Sequence, residues 1–246
     1  MNEVKIEFVL NVLVALVFAL SMTACDGDGG TSPTESEPDA PEPVYDTIVD
    51  ERDGNEYRIV KIGEQWWMAE NLKFEVEGAK AVYYGPYSDR DSTELDGYAY
   101  DWATAMGLDS SFLDLSAEVL EALDSVHRGI CPEGLHIPSG GEWQILEDYV
   151  DLHNGSENVS TSLISHSGWK LSIYGMEQGT NRYGFSATPS DRTFNAEFVS
   201  ATEIHWEWRT DMPYFWTYQL TCYRRYGLFQ TDKSKFYFVR CVKMGN

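Results

Sequence analysis

The densest concentration of side chains able to hold a ligand lies between residues 206 and 226. Trp206, Trp208, Tyr214, Phe215, Trp216, Tyr218, Tyr223 and Tyr226 are interleaved there with Glu207, Arg209, Asp211, Arg224 and Arg225. Flat aromatic faces beside hydrogen-bonding groups stack on sugar rings or anchor partner surfaces. The same rings are good core material, and along a strand one alternating set must point inward. Trp206, Trp208, Trp216 and Arg209 are the candidate ligand-binding residues, with core packing the competing use of these side chains.

Other chemistry is sparse. The five histidines are His127, His136, His153, His166 and His205, and none belongs to a His-x-x-x-His or Cys-x-x-Cys pair, so no metal site is expected. His136, between Leu135 and Ile137, reads as a structural histidine. Asp26-Gly27-Asp28-Gly29-Gly30 lacks the later bidentate Glu of an EF-hand loop and reads as a spacer. No Gly-x-Ser-x-Gly elbow, phosphate loop or dinucleotide fingerprint is present, and no catalytic residue is assigned.

The segments around these residues set their context. The 246 residues, 43% hydrophobic and 14% aromatic, suffice for one sizeable core, and a net charge of −22 opposes nucleic acid as a partner. Phe8 to Leu20 is apolar but for Asn11, short of the roughly 20 residues that cross a bilayer, and fits a signal peptide over residues 1–24. Ser21-Met22-Thr23-Ala24-Cys25 resembles the lipobox of bacterial lipoproteins, which makes Cys25 the lipidated residue and a membrane the N-terminal partner. Met22 where Leu is usual departs from that pattern, and a plain secretory signal is the competing reading. Residues 25–43 read as lipid anchor and tether: Pro33, Pro38, Pro41 and Pro43 stand among acidic and small residues that bury too little to order the chain.

Residues 44–246 form the domain. Arg52-Asp53-Gly54-Asn55 between two β-prone runs predicts a hairpin, and Gly63-Glu64 a second turn into Gln65–Leu72. Spacing predicts helices over Tyr98–Met106 and Asp114–Leu123, and Ser139 with Glu142 predicts a capping box that opens a helix carrying Trp143, Leu146, Val150 and His153 and ending near Gly155. The C-terminal third reads as antiparallel sheet, including Phe215–Leu220, Tyr223–Leu228 and Phe236–Val242. The fold class is α+β.

In this order the residues resemble a known family. Over about residues 46–243, Asp53-Gly54-Asn55 then Val60-Lys61-Ile62-Gly63 and Gln65-Trp66-Trp67-Met68-Ala69-Glu70-Asn71-Leu72, Gly97 to Met106, Cys131 to Ser139 with Glu142-Trp143, Gly179 to Pro189, and Phe238-Val239-Arg240-Cys241-Val242 are similar to the successive motifs of the Fibrobacter succinogenes major paralogous domain. Departures are Leu135 where Trp is usual, Ser190-Asp191 where Gly-Gly is common, and His205 to Thr210 in place of a Trp-Trp-Ser-Ser-Thr run. The resemblance implies a C-type-lectin-like domain, related to sulfatase-modifying factors, with short antiparallel strands, two or three helices and long irregular loops. It also implies a disulfide between Cys131 and Cys241, with Cys222 left over; pairing of Cys222 with Cys241 is the alternative. Lectin-like folds often carry calcium on a loop, but the Glu-Pro-Asn and Trp-Asn-Asp triplets of sugar-binding members are absent, so no cofactor is expected.

The resulting expectation is an exported lipoprotein of the bacterial cell envelope, on the outer membrane, cell surface or periplasmic side. Its domain binds a glycan or a surface protein without catalysis. An enzyme on a formylglycine-generating scaffold and a purely structural envelope protein are the alternatives.

Overall fold

The computed structural model describes residues 42–85, 87–114, 126–170, 178–190, 194–204 and 214–245. Strands β1 (Val44–Val49) and β2 (Glu56–Ile62) pair antiparallel from Val44 with Lys61 to Val49 with Glu56. The turn between them closes on Asp50, whose carbonyl accepts from the Gly54 amide at 2.8 Å; Gly54 has φ +78°, a conformation costly for any residue with a Cβ. After the Gly63-Glu64 turn, β3 (Gln65–Met68) pairs back on β2, and β10 (Val242–Met244) closes a four-stranded sheet in the order β1-β2-β3-β10.

A second, six-stranded sheet runs β4-β5-β9-β6-β7-β8, built from β4 (Lys80–Tyr83), β5 (Leu95–Tyr100), β6 (Asn195–Glu203), β7 (Tyr214–Thr221), β8 (Tyr226–Asp232) and β9 (Tyr237–Phe238). Its pairs are antiparallel except β6 with β9, which meet in parallel at Phe198 and Phe238. With helices α1 (Trp102–Met106), α2 (Gly140–Asn154) and α3 (Val159–Leu163), the described residues make a mixed α+β fold with irregular connections.

The helix at Pro138-Ser139 forms as its residues predict. The Ser139 hydroxyl accepts from the Glu142 amide at 3.2 Å while the Glu142 carboxylate accepts from the Ser139 amide at 2.9 Å, so two otherwise orphaned donors are satisfied. Trp143, Leu146 and Val150 form its buried face, but His153 is exposed and lies on Tyr149 instead of continuing the stripe. Two other expectations are corrected. Tyr98 to Tyr100 is strand, since β5 finds partners on both sides in β4 and β9; the helix starts only after Asp101, whose carboxylate caps the Thr104 amide at 2.8 Å. The run Phe236–Val242 is split between the two sheets, as β9 and β10. The expected helix at Asp114–Leu123 lies almost wholly outside the described residues.

The inner strands β2, β3, β6 and β7 bury side chains on both faces, so two clusters fill the interior. One gathers Val60, Trp67, Phe198 and Tyr218 around α2; the other gathers Tyr57, Met68, Trp102, Val199 and Phe215. Trp143 is the centre of the first, with its ring 4.5 Å from Trp67 and stacked 4.5 Å from Tyr218. The disulfide joins Cys131 to Cys241 inside the second cluster and ties the segment before α2 to the crossover between β9 and β10.

Candidate functional site

Where the two sheets meet, the chain leaves β3 through a bend at Ala69-Glu70 into Asn71-Leu72. It is clamped on one side by the crossover, with the Leu72 amide donating to the Val239 carbonyl at 3.0 Å, and on the other by β5, with Tyr98 donating to the Leu72 carbonyl at 2.9 Å. Gly97 permits that approach, because a Cβ there would sit 2.7 Å from the Asn71 Cβ. A third segment, Phe185 to Thr188, is held beside them by the Leu163 carbonyl, which accepts from Ala187 at 3.0 Å.

Arg240 binds these segments together. Buried to 1% exposure, it donates through Nε to Asn71 Oδ1 at 2.8 Å, and through its two terminal nitrogens to the carbonyls of Met68 at 3.1 Å, Phe185, and Ser186 at 3.0 Å. The last two carbonyls are aimed by a loop in which Asn181 and Ser186 both have positive φ, a local strain held by the Ser186 amide donating to Asn181 Oδ1 at 2.7 Å. Asn71 passes the contact on: its Nδ2 donates to Asp96 Oδ1 at 3.2 Å and Thr188 Oγ1 at 3.0 Å, and Thr188 donates to Asp96 Oδ2 at 2.8 Å. The side-chain amide thus lies between a buried guanidinium and a buried carboxyl, giving each the end it needs.

Above this network opens a cleft of 360 Å³, within the roughly 300–1,000 Å³ range of ligand pockets. Ala69, Asn71, Asp96 and Arg240 make its floor; Tyr84, Ser165, Ser167, Ser186 and Thr188 its walls; Arg58, Glu70, Asp89, Arg90 and His166 its rim. Burial raises the Asp96 carboxyl above its ordinary value, against the opposing pull of the Thr188 bond and the Arg240 charge. Burial, with the charge of Asp96, pushes the Tyr84 phenol up to about 12. Burial brings Arg240 down to about 10, partly offset by Asp96 and Glu70, so it keeps its charge at neutral pH. The arrangement offers fixed donors and acceptors of both signs in a partly dry setting, suited to a polar ligand rich in hydroxyl or carboxyl groups.

Of the aromatic stretch, the structure describes the part from Tyr214 onward. Trp206, Trp208 and Arg209 lie outside the described residues, as does Cys25. Trp216 is on β7, half-buried and paired with Gln230, while its neighbours Phe215 and Tyr218 are core. Trp216 does not line the cleft. Cys222 is buried in the core outside the disulfide. His136 is buried at 6% exposure and its Nε2 lies 2.6 Å from Glu142 Oε1, which places it as a prop for the α2 capping box. Among the described residues no group of three or more His, Cys, Asp or Glu side chains could hold a metal ion, and no helix is long and apolar enough to cross a membrane.

Asn71, Asp96, Thr188 and Arg240 are not singled out by charge spacing or motif chemistry. Three of them do sit in the ordered motifs, and Asp96 directly precedes another, so it is the convergence of those motifs on one cleft that reveals the site. Compared with protein families, residues 60–243 match the one described as the Fibrobacter succinogenes major domain. Comparison with curated proteins found no match, and comparison with solved structures found none.

Proposed function

Because this chain belongs to the Fibrobacter succinogenes major domain family, we propose that it is an exported, lipid-anchored envelope protein whose domain binds a ligand without chemical conversion. The observation that carries the reading is the convergence of the family motifs on the cleft floored by Asn71, Asp96 and Arg240. A buried, cross-braced polar floor costs stability unless its groups are fully paired, and holding it open to solvent suits a preorganised recognition surface. The ligand is a glycan or another envelope protein. The domain is read as C-type-lectin-like from the order of its motifs, and the anchor is read from the apolar run before Cys25.

The enzyme reading has one specific support, since Asp96, Tyr84 and His166 converge in the same cleft. Against the formylglycine-type variant stands the bond of Cys241 to Cys131, which already occupies one of the two late thiols that a reactive pair would use. Binding is tested by screening the full chain against a glycan array, cell-wall fragments and envelope extracts, with Thr188→Val in parallel. Retention that Thr188→Val weakens about tenfold supports the cleft; retention on no array, fragment or extract removes the binding function and favours a structural role.

A further inference from the structure

Around the cleft Arg58, Arg90 and Arg240 equal Glu70, Asp89 and Asp96 in number, but not every arginine is ion-paired. Glu70 is met by Lys73 at 3.4 Å, Asp89 accepts from the Ser167 hydroxyl at 2.6 Å, and Asp96 is held by Thr188 and Asn71. Arg90 is paired with Glu94 at 2.6 Å. Arg58 and Arg240 differ, for among the described residues neither has a carboxylate within ion-pair distance. Arg240 is anchored by carbonyl groups below the floor. Arg58 is exposed on the rim, with its guanidinium 4.8 Å over the Tyr45 ring. A guanidinium held over a ring can still turn N–H groups toward a carboxylate, which its fork receives in bidentate fashion.

The surroundings add hydroxyl recognition and length. Ser165, Ser167, Ser186 and Thr188 place hydroxyls along the walls. His166 and Ser167 also line a second hollow of 260 Å³ whose other walls are Tyr87, Trp169 and Gln178, with Tyr87 46% exposed. The two hollows share His166 and Ser167 as walls, and Tyr87 offers an exposed ring in the second.

Taking the cleft as the binding site, we propose that it receives an acidic oligosaccharide. The carboxylate of one uronic acid unit meets Arg58 in the field of Arg240, its hydroxyls meet the serine and threonine side chains, and the adjoining unit lies against Tyr87. The full chain is titrated with trisaccharides of galacturonate, glucuronate and mannuronate, with the same sugars after reduction of their carboxyls to alcohols, and with acetate and inorganic phosphate.

At least one uronate trisaccharide is expected to bind about tenfold more tightly than its reduced form, and its affinity to fall between about 50 and about 500 mM salt. Arg58→Gln, on an exposed side chain, is expected to remove the preference for the acid form, and Tyr87→Ala to weaken both forms while keeping it. Equal binding of acid and reduced forms overturns the carboxylate assignment but leaves a glycan site. Phosphate binding as tight as the trisaccharide overturns the sugar assignment. An unchanged preference in Arg58→Gln overturns the role of that residue, and no binding of any of these sugars overturns the proposal whatever the wider array shows.

Discussion

At the scale of single residues the informative groups are those buried with their polarity intact. Asp96 and Glu142 illustrate opposite outcomes of burial. For Asp96 desolvation prevails and the carboxyl is raised above 3.8. For Glu142 desolvation is the largest single influence, but the bonds from His136 and Ser139 together outweigh it and hold the carboxyl below 4.5. A raised folded value means that the Asp96 contribution to stability is fully present below its unfolded value and is lost as pH rises through the folded one. Asp96→Asn should therefore gain stability relative to the parent as pH is taken from about 4 to about 7, read from urea unfolding midpoints at each pH. A difference that stays constant across that range would remove the assignment of a raised Asp96. Glu142 works in the other direction: its contribution is present above its unfolded value and disappears as pH falls through the lowered folded one.

At the scale of elements, α2 and the disulfide carry the clearest expectations. Ser139→Ala removes the hydroxyl that accepts the Glu142 amide and should cost about 1 kcal/mol in chemical denaturation, since a buried helix start loses one of its few donors' partners. The Cys131–Cys241 bond closes a loop with a sequence separation of 110, for which chain entropy gives at most about 4.7 kcal/mol. Replacing both cysteines with serine should lower the unfolding free energy by about 2 to 4 kcal/mol, measured by urea titration of parent and variant under oxidising conditions. A loss well under 1 kcal/mol would mean that the unfolded chain is already constrained by other contacts. Arg240 directly precedes Cys241, so loosening that bond should also loosen the floor of the cleft.

At the scale of the whole molecule, charge and anchoring are separable from recognition. Eleven acidic residues against Arg52 alone fall between Asp26 and Glu56, so much of the −22 charge belongs to the proposed tether and first hairpin. Charge gathered in one segment says little about the ligand. If Cys25 carries the lipid, Cys25→Ser should move the protein from the membrane fraction to the soluble exported fraction, and mass spectrometry of the parent should show a lipid-modified Cys25 at the mature N-terminus. An unmodified or differently cleaved N-terminus removes the anchor from this description.

What the sequence alone determined is local or compositional. The hairpin at Asp53-Gly54, the capping box at Ser139 and Glu142, and the α+β class follow from turn chemistry, capping and periodicity, which act over a few residues. The order of motifs sufficed for the family. The spacing of Tyr98–Tyr100 suits a helix as well as a strand, and only β4 and β9 on either side select the strand. The cleft could not be read at all, since Asn71, Asp96, Thr188 and Arg240 are far apart along the chain and none is unusual by itself. Tertiary structure decided it: the Cys131–Cys241 crossover, the approach permitted by Gly97 and the strained loop at Ser186 bring one guanidinium, one amide and one carboxyl into a shared network. Hydrogen bonding between such groups depends on distances that no local pattern encodes.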